Sequence, residues 1–213
     1  SIFNFDIRDL GTSDGLATEV NQMRFVPGAD NTANWSTTLQ QVIVNDNTGS
    51  EIPGTYSITD TEVIFTPDSP VVVGDNSILN FSVDIVLNTT GIVDQSQIEF
   101  QVEGNNSGFT GLSSGSFFSS SFPNVLGNEI TIDVLASDIA FLQQPTDVNL
   151  FAIMQPDVQV EFIDVNSNRD LDMTDSVSIS SSGDLDGGPV SVNAIAGVAT
   201  FSNLVHSTLG TTL

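Results

Sequence analysis

Apolar and polar residues alternate along several segments of this chain, and this alternation constrains the fold more than any other feature. The clearest segment runs from Leu79 to Leu87, where every second residue is apolar. Shorter segments repeat the pattern around Phe5, Phe100 and Val160. A period of two gives a strand one buried face and one wet face, as in antiparallel sandwiches. The sequence therefore predicts an all-β fold.

Turn-forming dipeptides such as Pro27-Gly28 and Pro53-Gly54 separate the alternating segments. Many short strands joined by frequent turns are typical of β-sandwiches. The rhythm changes near residues 135–141, after which the strands become shorter. We therefore predict two consecutive antiparallel β-sandwich domains, over residues 1–135 and 136–213.

We expect the second domain to be Ig-like and incomplete at its C-terminus. After the strand predicted at residues 198–201, there is room for one more strand that the sequence does not supply. A sandwich without its last strand has an open edge. Either the natural chain continues, or another chain donates the strand, so we expect further modules of the same chain or identical subunits as partners.

A single short segment has the pattern of a helical turn. Asn34 can cap a helix that carries Trp35 and Leu39 on one face. Trp35 is the only tryptophan, and we predict that it fills one end of a sandwich core. The alternative is an exposed indole ring that stacks on a sugar.

The charge balance excludes several classes of function. The chain has 27 Asp and Glu against three Arg, no Lys and no Cys. Nucleic-acid binding requires clustered cations, and anionic membranes would repel this chain. No apolar run reaches the ~18 residues of a membrane helix, so we expect no membrane insertion. Thiol chemistry, disulfides and Lys Schiff bases are not available to this composition.

The strongest chemical signal is an acidic loop with oxygen side chains at positions 1, 3, 5, 7, 9 and 12. This spacing can curl a loop around a hard cation such as Ca²⁺. Position 6 is Arg169, where such loops use glycine. The alternative is a solvated, metal-free loop between two strands. The candidate calcium ligands are Asp164, Asn166, Asn168, Asp170, Asp172 and Asp175.

A second acidic group near the start of the chain contains Asp6, Asp9, Asp14 and Glu19. Asp9 and Asp14 flank a turn and could hold calcium, although the spacing matches no defined loop. Asp6 shares a strand face with Arg8, so a simple surface ion pair is the alternative for this residue.

We expect no enzyme activity from this sequence. Residues 111–115 match the hydrolase pattern Gly-x-Ser-x-Gly, but a buried strand and a helix are not predicted on either side. The only histidine, His206, is far from this segment and is predicted to lie on a strand surface. No other constellation of catalytic residues converges in the sequence.

Two stretches resemble repeat modules of very large secreted surface proteins of Bacteroidetes, which are adhesin-like. The first combines FNFDIRDLGTSDGLATEVNQMRFVPG with DNSILNFSVDIVLNTTGIVDQSQIEFQV. The second opens with the turn FLQQP and closes with GVATF, as bacterial Ig-like repeats do. The resemblance implies tandem modules and no catalytic residues. These repeats usually carry surface Lys, which this chain lacks.

These observations predict a non-catalytic structural module of an extracellular fibre, stalk or cell-surface adhesin. Calcium would make it rigid, or a donated strand would assemble it. The alternative function is a carbohydrate-binding or surface-binding module that recognises glycans through Trp35 or through a calcium ion.

Overall fold

The structure is a computed structural model that describes residues 1–10, 15–105, 107–111, 118 and 121–208. The chain divides into two compact units. Unit 1 comprises Ser1–Ile92 and Ser96–Ile132, and unit 2 comprises Val93–Gln95 and Asp133–Leu213. The three-residue segment 93–95 thus belongs to unit 2 although unit 1 flanks it on both sides in the sequence.

Unit 1 is built from short strands, with one helix of a single turn among its described residues. In chain order these elements are β1 (Phe3–Arg8), β2 (Thr18–Pro27), α1 (Trp35–Thr38), β3 (Leu39–Asn45), β4 (Gly54–Ile58), β5 (Val63–Pro67), β6 (Val71–Val73), β7 (Ile78–Leu87), β8 (Gln97–Ile98), β9 (Phe100–Val102), β10 (Thr110–Gly111), β11 (Val125–Leu126) and β12 (Ile130–Thr131).

Two main sheets form in unit 1, and the described strand pairs are antiparallel. One sheet has the order β1-β7-β3. The other has the order β11-β9-β2-β5-β4, with β6 and β10 also pairing with β2, while β8 and β12 form a separate pair. The strand predicted from Leu79 to Leu87 is the centre of the first sheet, so this prediction is confirmed.

Aromatic side chains fill the space between the two main sheets. Phe3 and Phe5 of β1 point inward and meet Phe25 of β2 edge to face, with ring centroids 5.9 and 5.6 Å apart. All three rings are buried. Because the alternating residues of one sheet pack against those of the other, unit 1 is a β-sandwich and the predicted all-β class is confirmed.

Trp35 is a core residue. Its ring is fully buried and stacks on Phe100 with centroids 4.4 Å apart. Its Nε1 donates a hydrogen bond of 2.8 Å to Asn31 Oδ1, which satisfies the one polar atom of the indole. The core prediction is therefore confirmed, and the interpretation of Trp35 as an exposed sugar-stacking residue is wrong.

The single-turn helix forms where it was predicted, but its N-terminus is capped differently. The Asn34 side chain makes no capping hydrogen bond. Instead, the Asp60 carboxylate accepts a 2.9 Å hydrogen bond from the Ser36 backbone N–H. The sequence predicted the adjacent residue Asn34 as the cap, whereas the fold brings the Asp60 carboxylate from a distant turn to the helix N-terminus.

Unit 2 contains shorter sheets. Its strands are β13 (Asp138–Gln143), β14 (Val158–Ile163), β15 (Ser176–Ser178), β16 (Leu185–Asp186), β17 (Ser191–Asn193), β18 (Val198–Phe201) and β19 (Val205–His206). They pair as β13-β14-β18, β15-β17 and β16-β19.

The core of unit 2 lies on one face of the three-stranded sheet. Val158 and Val160 of β14 pack with Ala199 and Phe201 of β18, and Val177 of β15 packs against them. β13 contributes less to this core, because its apolar side chains are about half exposed. Among the described residues, no helix is long and apolar enough to cross a membrane.

Candidate metal centre

Asp94 is a buried carboxylate in the segment of unit 2 that lies between β7 and β8 in the sequence. Only 2% of its surface is exposed. Its Oδ1 accepts a 2.7 Å hydrogen bond from the Val134 N–H, and its Oδ2 accepts one of 2.7 Å from the Leu171 N–H. One side chain thus ties together three segments that are far apart in sequence.

Asp170, in the loop after β14, has a similar structural role. It is also 2% exposed, and its two oxygens accept 2.9 Å hydrogen bonds from the Ala136 and Met173 N–H groups. Gly197 packs against its backbone with φ +72°, and a Cβ there would lie 2.0 Å from the Asp170 carbonyl oxygen. Only glycine permits both this φ angle and this close approach.

Asp172 completes the group from the solvent side. Its side chain is exposed, and its Oδ2 accepts a 3.2 Å hydrogen bond from Gln95 Nε2. The pKa of Asp172 is raised, chiefly by a hydrogen bond with the Asp170 carboxyl group. The partial loss of contact with water and the negative charges of Asp170, Asp94 and Asp133 raise it further. Negative charge therefore accumulates here beyond what the local hydrogen bonds neutralise.

The geometry of these three carboxylates suits a hard divalent cation. One oxygen from each of Asp94, Asp170 and Asp172 lies within 4.8 Å of the others. Ligands of one Ca²⁺ ion sit ~2.4 Å from it, so their oxygens must lie within about 5 Å of each other. An all-oxygen donor set favours Ca²⁺ over zinc or copper. These residues could therefore supply three of the about six to eight oxygen ligands that Ca²⁺ takes.

The structure divides the six ligands that the sequence proposed. Asp164 organises its own turn, because its Oδ1 accepts 2.8 Å hydrogen bonds from the backbone N–H groups of Asn166 and Asn168, and its Oδ2 accepts one from Asn168 Nδ2. The pKa of Asp164 is lowered: burial acts to raise it, but the hydrogen bonds from Asn168 and Asn166 outweigh burial. All of these hydrogen bonds join Asp164 to residues of its own turn.

The remaining proposed ligands separate into two groups. Asp170 and Asp172 join Asp94, whereas Asp175 is exposed and is not a member of that carboxylate group. The sharp bend that helix-flanked loops place on a glycine falls instead on Ser167, with φ +65°. Arg169, at position 6, forms an ion pair with Glu161 of β14, with Nε 2.8 Å from Oε2.

Asp94 is the candidate ligand that sequence reasoning missed. It precedes Asp170 by more than seventy positions and stands alone between two alternating segments. No spacing rule links residues that only the tertiary fold brings together. The sequence offered only a weak local signal, which was one acidic residue, followed by Gln95, in the break between two alternating segments.

The second acidic group near the chain start resolves into separate interactions. Asp6 pairs with Arg8 at 2.7 Å on the surface, as the alternative interpretation predicted. Asp9 is buried and accepts a 2.8 Å hydrogen bond from Thr18 Oγ1. Asp14 lies outside the described residues. The Gly-x-Ser-x-Gly match at 111–115 also lies mostly outside them.

In comparisons with known proteins, no family model, curated protein or solved structure matched this chain. The fold and the carboxylate group together define an all-β protein of two units, of which the second contains three carboxylates that could hold a metal ion. No relative assigns an activity to either unit.

Proposed function

We propose that the chain is a structural module of an extracellular fibre, stalk or cell-surface adhesin, with a calcium ion stabilising its second unit. The carboxylate group of Asp94, Asp170 and Asp172 is the observation that carries this proposal. Two of these carboxylates are buried and already hold backbone N–H groups from several segments. An ion bound to their remaining lone pairs would lock the same segments together.

Calcium would act on stability in this role. Without an ion, the three carboxylates repel one another, and this repulsion opposes folding of unit 2. With an ion bound, the attraction between the ion and the three carboxylates outweighs their mutual repulsion. Binding to the folded state alone raises the free energy of unfolding by RT ln(1 + [L]/Kd), about 2.7 kcal/mol at a hundredfold excess over Kd. A module stiffened in this way suits a load-bearing array.

Calorimetry of the whole chain tests the proposal. The melting temperature of unit 2 should rise on going from EDTA to millimolar CaCl₂, and should rise less in NaCl of equal ionic strength. Asp172→Asn should remove most of the calcium-specific rise. Asp186→Asn, which removes an exposed carboxylate of β16, should preserve it. Equal responses to CaCl₂ and NaCl would contradict the calcium role.

The exposed apolar residues of β13 support assembly with other strands. In the register with β14, Ile139 lies opposite Phe162 and Phe141 opposite Val160, so they share the core face of the sheet. Ile139 and Phe141 nevertheless remain 49% and 51% exposed. We propose that a strand from a further module or an identical subunit covers them, with main-chain hydrogen bonds along an open edge.

Sedimentation of the purified chain tests this assembly. Association should weaken in an Ile139→Ser, Phe141→Ser double variant, because the covering strand loses its apolar contact. Val165→Ser is the matched control, since Val165 is 86% exposed in the loop after β14. A chain that remains monomeric at high concentration would contradict assembly from identical subunits and leave modules of the same chain as the proposed source.

A glycan-binding role is the second candidate. The observation in its favour is the exposure of Asp172 beside two buried carboxylates, because an ion held there could offer open positions to sugar hydroxyls. A glycan-binding screen with and without EDTA separates the two functions. Binding that EDTA abolishes would support recognition of glycans, whereas the structural role predicts no binding in either condition.

A further inference from the structure

Two successive hydrogen bonds link a serine, a histidine and a backbone carbonyl in unit 2. Ser181 Oγ is 2.8 Å from His206 Nε2, and His206 Nδ1 is 3.2 Å from the Thr208 carbonyl oxygen. A carbonyl oxygen can only accept, so Nδ1 must carry the ring proton. Nε2 is then the acceptor, and the Ser181 hydroxyl donates its proton to it.

Backbone pairing holds the three groups in place. His206 lies on β19 directly opposite Leu185 of β16. The Asp184 N–H donates a 2.8 Å hydrogen bond to Thr208 Oγ1, which fixes the chain just beyond the histidine. Gly183 lies in between, where a Cβ would be 2.6 Å from Thr208 Oγ1 and 3.1 Å from His206 Cε1. A side chain at this position would therefore displace the Thr208 hydroxyl and press on the His206 ring.

The pair is accessible and lies beside an open cleft with a mixed polar and apolar lining. Ser181 is exposed, and the His206 ring is partly exposed. His206 lines this cavity of about 330 Å³ together with three apolar residues and four polar ones, namely Val148, Leu150, Met154, Thr146, Asp147, Asn149 and Thr208. The three apolar side chains next to the histidine offer contact for a short acyl chain.

We propose that Ser181 is an activated nucleophile that takes the acyl group of small carboxylic esters. A nucleophile within hydrogen-bond reach of a base, which a third group orients, is the signature of covalent catalysis. The Thr208 carbonyl accepts the hydrogen bond from His206 Nδ1 and so orients the ring, which is the role of a carboxylate in serine hydrolases. This reactivity goes beyond the structural role proposed above and does not depend on it.

The reaction balances with these groups and water. Ser181 Oγ bonds to the ester carbonyl carbon while its proton moves to His206 Nε2. The tetrahedral intermediate then expels the alcohol, which takes that proton. Water, deprotonated by His206, attacks the acyl-serine, and the carboxylic acid leaves as Ser181 recovers its proton.

Turnover by this site is expected to be slow. The Gly183 N–H donates a 3.3 Å hydrogen bond to Ser181 Oγ itself, so it is not a donor aimed at the place where an oxyanion would form. Serine hydrolases generally aim two such donors, and loss of one lowers kcat by about 10²–10³-fold. Covalent labelling is therefore a more sensitive assay than steady-state hydrolysis.

A fluorophosphonate probe tests the proposal on the intact chain. Ser181 Oγ would displace fluoride from phosphorus, with its proton leaving through His206, and peptide mass spectrometry would locate the adduct. We expect the adduct on Ser181, none there in Ser181→Ala, and labelling slowed about 10²-fold in His206→Asn. Ser178→Ala is the matched control, since this exposed serine bonds Ser191 Oγ at 3.2 Å and should not affect labelling.

Either of two results would overturn the proposal. One is the absence of an adduct on Ser181 of the wild-type chain, and the other is an adduct that forms at the same rate in His206→Asn. The wild-type peptide map requires no variant, so the first result counts even if a substitution disturbs folding. Hydrolysis of p-nitrophenyl butyrate that is lost in Ser181→Ala would provide independent support.

Discussion

Replacing Asp94 by alanine should be among the most damaging single changes in unit 2. The substitution removes both acceptors of the Val134 and Leu171 N–H groups. Each hydrogen bond to a charged group contributes about 1.5–3 kcal/mol. Relief of repulsion with Asp170 and Asp172 offsets part of the loss. We therefore expect a net destabilisation of about 3 kcal/mol, using the lower value for each hydrogen bond.

This loss should appear as a large shift in melting temperature. For a domain of about 60–100 residues, 1 kcal/mol corresponds to about 4–8 °C, so the calorimetric transition of unit 2 should fall by about 12–24 °C. Trp35, the only tryptophan, lies in unit 1. Its fluorescence therefore reports unfolding of unit 1 and allows the two transitions to be assigned. Asp186→Ala, at an exposed position on β16, should change stability by less than about 0.5 kcal/mol.

Hydrogen exchange provides the decisive residue-level measurement. In the wild-type chain the Val134 and Leu171 amides should exchange slowly, because a buried carboxylate holds them. In the Asp94→Ala variant both should exchange faster than other amides of unit 2. A stability loss below about 1 kcal/mol, with these two amides still protected, would refute the assignment of Asp94 as a cross-link of the unit.

Three further predictions concern charge, core and backbone. The pKa of Asp172 is raised in the folded chain, so unit 2 loses stability as the pH rises through that pKa. In EDTA, acidification from pH 7 should therefore stabilise unit 2 more in the wild type than in Asp172→Asn, as paired melts would measure. Phe25→Ala should cost unit 1 about 3–5 kcal/mol in denaturant titrations followed by Trp35 fluorescence, because the ring is fully buried. Gly197→Ala should lower the calorimetric transition of unit 2 by at least about 1–2 kcal/mol, because φ is +72° there.

The sequence predicted features whose cause is local. β7 was predictable because the alternation from Leu79 to Leu87 is itself the requirement for a strand with one buried face. Trp35 was predictable because a large apolar ring is usually buried with its one polar atom satisfied. In both cases the residues that determine the structure are close together in the sequence.

Features that depend on tertiary pairing were not predictable in this way. The spacing from Asp164 to Asp175 suggested one loop around one ion, but Asp164 accepts hydrogen bonds from its own turn, and Asp170 turns toward Asp94. His206 lies on a strand and is partly exposed, as the sequence predicted, but its hydrogen-bond partner was not predictable. Its partner, Ser181, becomes adjacent only when β16 pairs with β19.

The shortage of cations explains why carboxylates have these structural roles. With three Arg for 27 acids, most carboxylates have no ion-pair partner in the chain. Asp94 and Asp170 instead accept backbone N–H groups, as Asp46 does from Thr48 and Ser50 in a turn of unit 1. This arrangement satisfies the oxygens but leaves their charge uncompensated.

The carboxylates spread over the surface and the group of Asp94, Asp170 and Asp172 should respond differently to salt. At physiological ionic strength the Debye length is about 8 Å, so dissolved salt screens carboxylates that are spread over the surface. One oxygen from each of Asp94, Asp170 and Asp172 lies within 4.8 Å of the others, inside that length, and two of these side chains are buried. Diffuse ions therefore reduce their repulsion little. Only a proton or a bound cation can neutralise the group, which is why the response to calcium should exceed the response to sodium at equal ionic strength.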